Sequence, residues 1–292
     1  MALAGFVLAA VPLRAQEVTP EIRHGSDPLD VPYMASNNAV LDAMFDFARP
    51  LAGDYVMDLG SGDGRIVIEA ARRFGASGHG IDLNAGLVRI ANERAGQLGL
   101  ADRARFYVRD LFKEDLSRAT IVTLYLFPEI MLQLRPTLFR ALRPGARIVS
   151  HAYHMGDWRF DAARAVDAGT GGKQEFVYYW KVPARVAGLW DWTLDFPVGL
   201  DGPRHYRGQI VQHWQDIEGR VDDDLLPMRL HDAGLDGTTI RFSVTGELGR
   251  RSLRQDYVGT VAGNRVEGHV TLRGPIQPTR FPWSAQRRRA DN

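Results

Sequence analysis

The hydrophobic period changes twice along the chain. Ser36-Asn37-Asn38 precedes Val40, Leu41, Met44, Phe45 and Ala48, a polar cap followed by apolar residues three and four apart, which predicts an amphipathic helix. Gly53-Asp54 then turns the chain into the apolar run Tyr55 to Gly60, a short buried strand, and Arg65 to Phe74 returns to helical spacing. Further strands are expected at 79–83, 104–108, 121–127 and 146–152, with helices at 86–98 and 129–142. Pro136 is expected to divide that last helix, as the first residue of its second half. Five strands separated by helical segments imply right-handed crossovers and an α/β, Rossmann-like, doubly wound and mostly parallel sheet. Such sheets bind ligands at the carboxyl ends of their strands, which directs attention to 58–64, Asp82, Asp110, 125–129 and 151–154.

Beyond roughly Pro183 the pattern shortens to alternation, in runs such as VAGLWDWTLDF, TTIRFSVTGEL and NRVEGHVTL separated by Gly, Asp, Asn or Pro turns. Up to eight such strands predict an all-β antiparallel domain, with a closed barrel favoured over a sandwich because sequential hairpins hide their edges by closing. Trp190, Trp192 and Trp214 are expected to fill it; a ligand-lined mouth, taking a small apolar molecule or a protein partner, is the alternative. Asp222-Asp223-Asp224 lacks calcium-loop spacing and reads as a solvated turn. Arg287 to Arg289 form too short a basic run to assign to lipid or nucleic acid.

Composition narrows the classes. The 292 residues carry a net charge of +1, which removes the broad field of a general nucleic-acid binder, and there is no cysteine for a disulfide, a thiolate nucleophile or a Cys-bound metal. No segment reaches the roughly 18 to 20 apolar residues of a spanning helix. The apolar run Ala2 to Leu13 has the length of a signal-peptide core without a basic start, so residues 1–15 are read as a signal peptide or anchor and 16–29 as a polar linker. That favours an exported or envelope-associated protein; a cytoplasmic N-terminal tail is the alternative.

The chemistry concentrates in Asp58-Leu59-Gly60-Ser61-Gly62-Asp63-Gly64, between a strand and a helix, where glycines permit a tight turn and close approach of a ligand to the backbone. The dinucleotide fingerprint G-x-G-x-x-G fails because position 65 is Arg, and Asp58 suits an ammonium better than a pyrophosphate. Asp82 ends the next strand about twenty residues on, where a carboxylate meets a ribose diol. Asp110 follows the third strand, in reach of a base amine. Singly each acid reads as a cap or turn residue; three at successive strand ends form a nucleoside pocket.

DLGSGDGRIVI, GIDLN, RDLF and the stretch from Val122 to Trp158, with Val31-Pro32-Tyr33, resemble class I S-adenosylmethionine-dependent methyltransferases, and among them the branch of archaeal and mitochondrial protein lysine methyltransferases. The resemblance runs over residues 30–183 and leaves 184–292 outside it, where Trp and Gly spacing looks lipocalin-like. It implies a seven-stranded sheet closed by an antiparallel strand at Phe176 to Val182. It implies S-adenosyl-L-methionine as cofactor, with Asp58, Gly60, Ser61, Gly62 and Gly64 toward its methionine end, Asp82 at the ribose, Asp110 and Leu111 at the adenine, Tyr33 across the cofactor from the N-terminal side, and Leu83 and Asn84 also among the cofactor-binding residues. A sulfonium methyl transfers by in-line displacement that positioning alone accelerates, with no metal required. Tyr125 and Pro128 are the candidates for lining the methyl channel, and His151, beside His154, for a base, although a His at a strand end is more often packed and hydrogen-bonded. The acceptor so implied is an amine, foremost a protein lysine. A small-molecule or RNA methyltransferase, and an exported scaffold with a vestigial pocket, are the rival readings.

Overall fold

A computed structural model describes residues 36–167, 174–195, 203–223, 226–248, 251–274 and 277–288; the expected leader, linker and Tyr33 lie outside them. Helix α1 (Asn38–Ala48) starts where Asn37 accepts the Val40 N–H at 2.9 Å, and it ends at Arg49 in the left-handed conformation. Strands β1 (Tyr55–Leu59), β2 (Ser77–Asp82), β3 (Ala104–Val108), β4 (Ile121–Leu124) and β5 (Arg147–His151) are parallel, and β6 (Ala162–Asp167) and β7 (Gln174–Lys181) complete the order β3-β2-β1-β4-β5-β7-β6. β7 runs antiparallel to both β5 and β6.

The central strands β1, β4 and β5 are buried on both faces, as parallel strands must be. One face carries Val56, Ile121, Val149 and Val177 against α1, α2 (Arg65–Phe74) and α3 (Ala85–Gln97). The other carries Met57, Leu59, Val122, Leu124, Ile148 and Trp180 against α4 (Pro128–Ala141) and against Leu116, Met155 and Trp158 from loops. Two expectations are corrected here. Pro136 lies inside an unbroken α4: the bond it cannot make belongs to the carbonyl of Leu132, an exposed residue near water. Between β3 and β4 the crossover holds only a three-residue 3-10 turn, Leu111–Lys113, in place of a helix.

The remaining strands are β8 (Gly188–Asp195), β9 (Pro203–His213), β10 (Asp216–Asp222), β11 (Pro227–Arg229), β12 (His231–Asp236), β13 (Thr239–Leu248), β14 (Arg251–Ala262), β15 (Arg265–Arg273) and β16 (Thr279–Arg287). All but β11 join a closed antiparallel ring, in which β9 pairs with β10, β10 with β12, and β16 returns to β8 through Gln286↔Asp191 and Arg287↔Trp190. Trp190, Trp192, Tyr206, Phe242, Tyr257 and Trp283 fill the interior, and Trp192 stacks on Tyr206 at 5.5 Å. Among the described residues a cavity of about 10 Å³ remains in it, room for about one water.

Trp214 departs from expectation. It sits in the β9–β10 turn, outside the barrel core, stacked on Trp158 at 5.1 Å and 8°. The solvated turn expected at 222–224 is also corrected, because Asp223 is 7% exposed and pairs with Arg204 at 3.0 Å; Asp224 lies outside the described residues. Arg287 is the last residue of β16, its guanidinium over the Trp190 ring, and Arg288 pairs with Asp191.

Candidate active site

The glycine turn is built by backbone geometry that only glycine adopts freely. Gly60, Gly62 and Gly64 have φ of 83°, 52° and 76°. A Cβ on Gly64 would stand 2.5 Å from Phe106 Cζ and 2.8 Å from Ala91 Cβ, so this position admits no side chain. The amides of Gly60 and Ser61 donate to the Ile81 carbonyl at 2.9 Å, pinning the turn to the end of β2. Asp82 braces it from the side: Oδ2 accepts the Gly62 N–H at 2.9 Å and Oδ1 accepts the Asn84 N–H at 2.8 Å. Asn84 caps α3 by accepting from Gly86 and Leu87, and Leu83 is exposed. Asp110 caps the 3-10 turn through the Phe112 N–H at 2.9 Å, with Leu111 half-buried behind it. Ser61 packs against Gly80, its Oγ buried and without a hydrogen-bond partner.

Asp58 is the electrostatic centre of this end of the sheet. It is buried, and among the described residues its one side-chain partner is the Thr123 hydroxyl, which donates at 2.7 Å. Burial pushes its carboxyl up to about 7 against the opposing pull of Thr123, and the neighbouring Asp82 and Asp63 carboxylates push the same way. A cation placed beside it would restore its charge, which is what the ammonium of an amino-acid group supplies. Backbone N–H groups beside a buried carboxylate, and acids at the next two strand ends, fit a nucleoside carrying such a group.

Across from the turn, β4 stops at Leu124, sooner than the sequence suggested. Leu126 lies over Gly60, where an added Cβ would meet its Cδ2 at 2.9 Å, and Phe127 already caps α4, with Pro128 its first residue. Tyr125 is thus a loop residue, its ring 3.9 Å from that of His151 at 35°. His151 is 1% exposed and engaged at both nitrogens, Nδ1 with Ser36 Oγ at 2.9 Å and Nε2 with Glu175 Oε2 at 2.7 Å. Burial lowers its pKa, with Glu175 pulling the other way. Burial raises the Tyr125 phenol, helped by Glu175 and Tyr153. Arg65 ties the two halves: it grips Asp63 in a bidentate pair and donates to the Ser36 carbonyl at 2.7 Å. A cleft of about 310 Å³ opens alongside, lined by Pro128, Leu132, Ala152, Tyr153, His154 and Gly156. His154 is exposed and accepts the Gly156 N–H at 3.1 Å.

Ser36, Arg65 and Glu175 carry no sequence signal for this role. Ser36 and Glu175 reach His151 across 115 and 24 positions, separations that no local pattern reports.

The ANTKMT methyltransferase domain family matches residues 58–162, from Asp58 to the first residue of β6. A protein-lysine N-methyltransferase of Saccharolobus islandicus is 33% identical over 149 residues, which are 51% of this chain and 92% of that relative. The adenine nucleotide translocase lysine N-methyltransferase of Mus musculus is 32% identical over 158 residues, 54% of this chain and 69% of its own length. Among solved structures, an RNA methyltransferase from Salinibacter ruber in complex with S-adenosyl-L-homocysteine is 44% identical, with a TM-score of 0.48 over 53% of this chain and 96% of that one. With the glycine turn and the strand-end acids inside residues 58–162, and with relatives above 30% identity matched over more than two thirds of their length, the chain belongs to the ANTKMT methyltransferase family and is an S-adenosyl-L-methionine-dependent enzyme.

Proposed function

We propose that the enzyme methylates an amine, and that the amine is a protein lysine side chain. The carrying observation is the chemistry of the acceptor side. Tyr153 lines the cleft, Tyr125 stands beside it against the buried His151 with Glu175 behind, and no Lys or Arg is among the six residues lining the cleft. Aromatic faces and a carboxylate favour an approaching ammonium. An RNA acceptor needs cationic partners for its phosphates, and the cleft lining offers none. The lysine methyltransferases of the same family support the reading.

The cofactor, when bound, supplies a methyl group already activated for displacement. The chain's own work is orientation and exclusion of water. In this reading Asp58 and the Gly60–Gly64 amides hold the amino-acid end, Asp82 and Asn84 keep the turn closed, and Asp110 with Leu111 receives the base. Tyr125 and Pro128 wall the path of the methyl group. His151 is a positioning residue: with Ser36 donating to Nδ1 and Nε2–H donating to Glu175, it has no lone pair left for the amine proton, which passes to solvent.

The test is transfer of a labelled methyl group to unfolded cytochrome c, to the same protein with its lysines dimethylated beforehand, and to total RNA. Label on the first alone is expected. Label on RNA with none on lysine would overturn the proposal.

A further inference from the structure

Among the described residues the barrel's interior is packed with aromatic side chains around a cavity of about 10 Å³, and its outer surface meets the methyltransferase sheet. Its β9–β10 hairpin turns through two residues, Trp214 and Gln215, between the paired His213 and Asp216. Trp214 has φ 54°, a left-handed position normally held by Gly or Asn, and a bulky residue there is strained. Strain of this kind persists where the surroundings fix it, and it points to a role for the side chain.

That side chain reaches the methyltransferase sheet. The indole stacks on Trp158 at 5.1 Å, takes the edge of Phe139 at 5.1 Å, and lies under the Arg135 guanidinium at 5.0 Å. The flanking residues grip the same segment: Gln215 donates to the Arg159 carbonyl at 2.7 Å, His213 meets Asp157 at 3.1 Å, and Asp216 pairs with Arg159 at 3.0 Å. From α4, Arg135 pairs with Asp157 and donates to the Met155 carbonyl at 2.9 Å. Residues 155–159 are held from below by buried Met155 and Trp158 and from above by the barrel. Their upstream neighbours Ala152, Tyr153 and His154, with Gly156, are one wall of the acceptor cleft.

We infer that Trp214 is a positioning residue for the acceptor: the β9–β10 turn of the barrel fixes the 155–159 segment and thereby the cleft wall at 152–156. The inference rests on the cleft being the acceptor site, as proposed above. The glycine turn, Asp82 and Asp110 make no contact with this turn among the described residues, so cofactor binding is a separable readout.

The experiment compares the full-length enzyme with Trp214→Ala, Trp214→Phe and, as a barrel-interior control away from the turn, Tyr257→Phe. Cofactor affinity, kcat and KM for unfolded cytochrome c, and amide exchange across 152–159 are measured in each. Trp214→Ala is expected to raise KM by ~10-fold and speed exchange at 152–159 by ~10-fold, with cofactor Kd within ~2-fold; Trp214→Phe regains most of both. Tyr257→Phe lowers thermal stability without moving either. Unchanged KM and exchange in Trp214→Ala would overturn the inference, as would the same KM rise in Tyr257→Phe, which would mark a general loss of stability. Should the wild type leave lysine unlabelled, the lysine reading falls, and exchange alone decides whether the turn holds the segment.

Discussion

The two sheets bury polar groups to opposite ends. In the barrel several of them pair with one another: Tyr257 donates to Gln255 at 2.6 Å, Gln255 to Tyr206, and Arg204 to Asp223, while among the described residues Trp283 Nε1 is buried without a partner. The cavity inside the ring is about 10 Å³, room for about one water. In the parallel sheet buried His79 of β2 pairs with Glu114, while Asp58, Thr123, Ser150 and His151 lie at or near the carboxyl ends of β1, β4 and β5, and among the described residues Asp58 has a single hydroxyl for company. A closed antiparallel ring leaves no strand edge unpaired. An open parallel sheet exposes its strand ends at one rim, and there the sequence has kept a desolvated carboxylate unmatched. The first arrangement is built to be full and the second to be filled.

Stability and ligand binding should therefore separate between the two regions. Trp283 contacts Trp192, Phe242 and Tyr257 inside the ring. Trp283→Ala should cost about 3 to 5 kcal/mol in denaturant unfolding of the barrel, with cofactor affinity unchanged by calorimetry. A parallel loss of affinity would break the comparison.

Asp58→Asn should do the reverse. Loss of a charged partner for the cofactor's ammonium weakens binding by about 1.5 to 3 kcal/mol. The sign of the stability effect follows from a carboxyl lifted from 3.8 to about 7 on folding. Between those values the native state holds the proton that the unfolded chain has lost, so the stability of the cofactor-free enzyme falls as pH rises from about 4 to about 7 and is level above. The variant lacks this slope and should be the more stable protein at pH 8, by up to a few kcal/mol. Melting curves at pH 5 and pH 8 without cofactor decide it; parallel profiles for the two proteins would show that Asp58 is not desolvated as described.

Asp82→Ala sharpens the picture further, because both its oxygens are spent on backbone N–H groups of the turn and of the residue that caps α3. Its loss should weaken cofactor binding by roughly 1 to 3 kcal/mol through a loosened turn. Equal affinity in the variant would remove Asp82 from the site.

What the sequence disclosed follows the same division. Fully buried strands such as β1 and β4 are legible as apolar runs, and the turn between β1 and α2 is legible because three φ values demand glycine at fixed spacing. β6 is not legible: Ala162–Asp167 has no buried residue and no clear alternation, and its strand state is imposed by pairing with β7. Trp214 misleads because a Trp beside an alternating strand reads as barrel core, and its turn position breaks the rule that turns take small residues. The links that join the site, Ser36 to His151 and Arg65 to Ser36, are tertiary. They connect residues whose local roles, a position before a helix and the first residue of one, are already explained.

The smallest effect expected is also the most specific to that tertiary link. Ser36 is 5% exposed, and its hydroxyl meets His151 Nδ1 while His151 stacks on Tyr125. Ser36→Ala leaves the cofactor's contacts alone and frees the ring to rotate, so kcat should fall by about 3- to 10-fold, near 1 kcal/mol. Burial holds the imidazole below the ordinary His value, so it stays neutral at neutral pH. A His with a lowered folded pKa contributes stability above its ordinary value and loses that contribution as pH falls through the window below it. The wild-type rate should share this acid limb. Removing the hydroxyl admits water to Nδ1 and lifts the ring toward its ordinary pKa, so the limb moves to higher pH in Ser36→Ala. A lower rate with an unmoved acid limb would mean that Ser36 acts on the start of α1 alone, and that the ring beside Tyr125 is held by Glu175 without help from the serine.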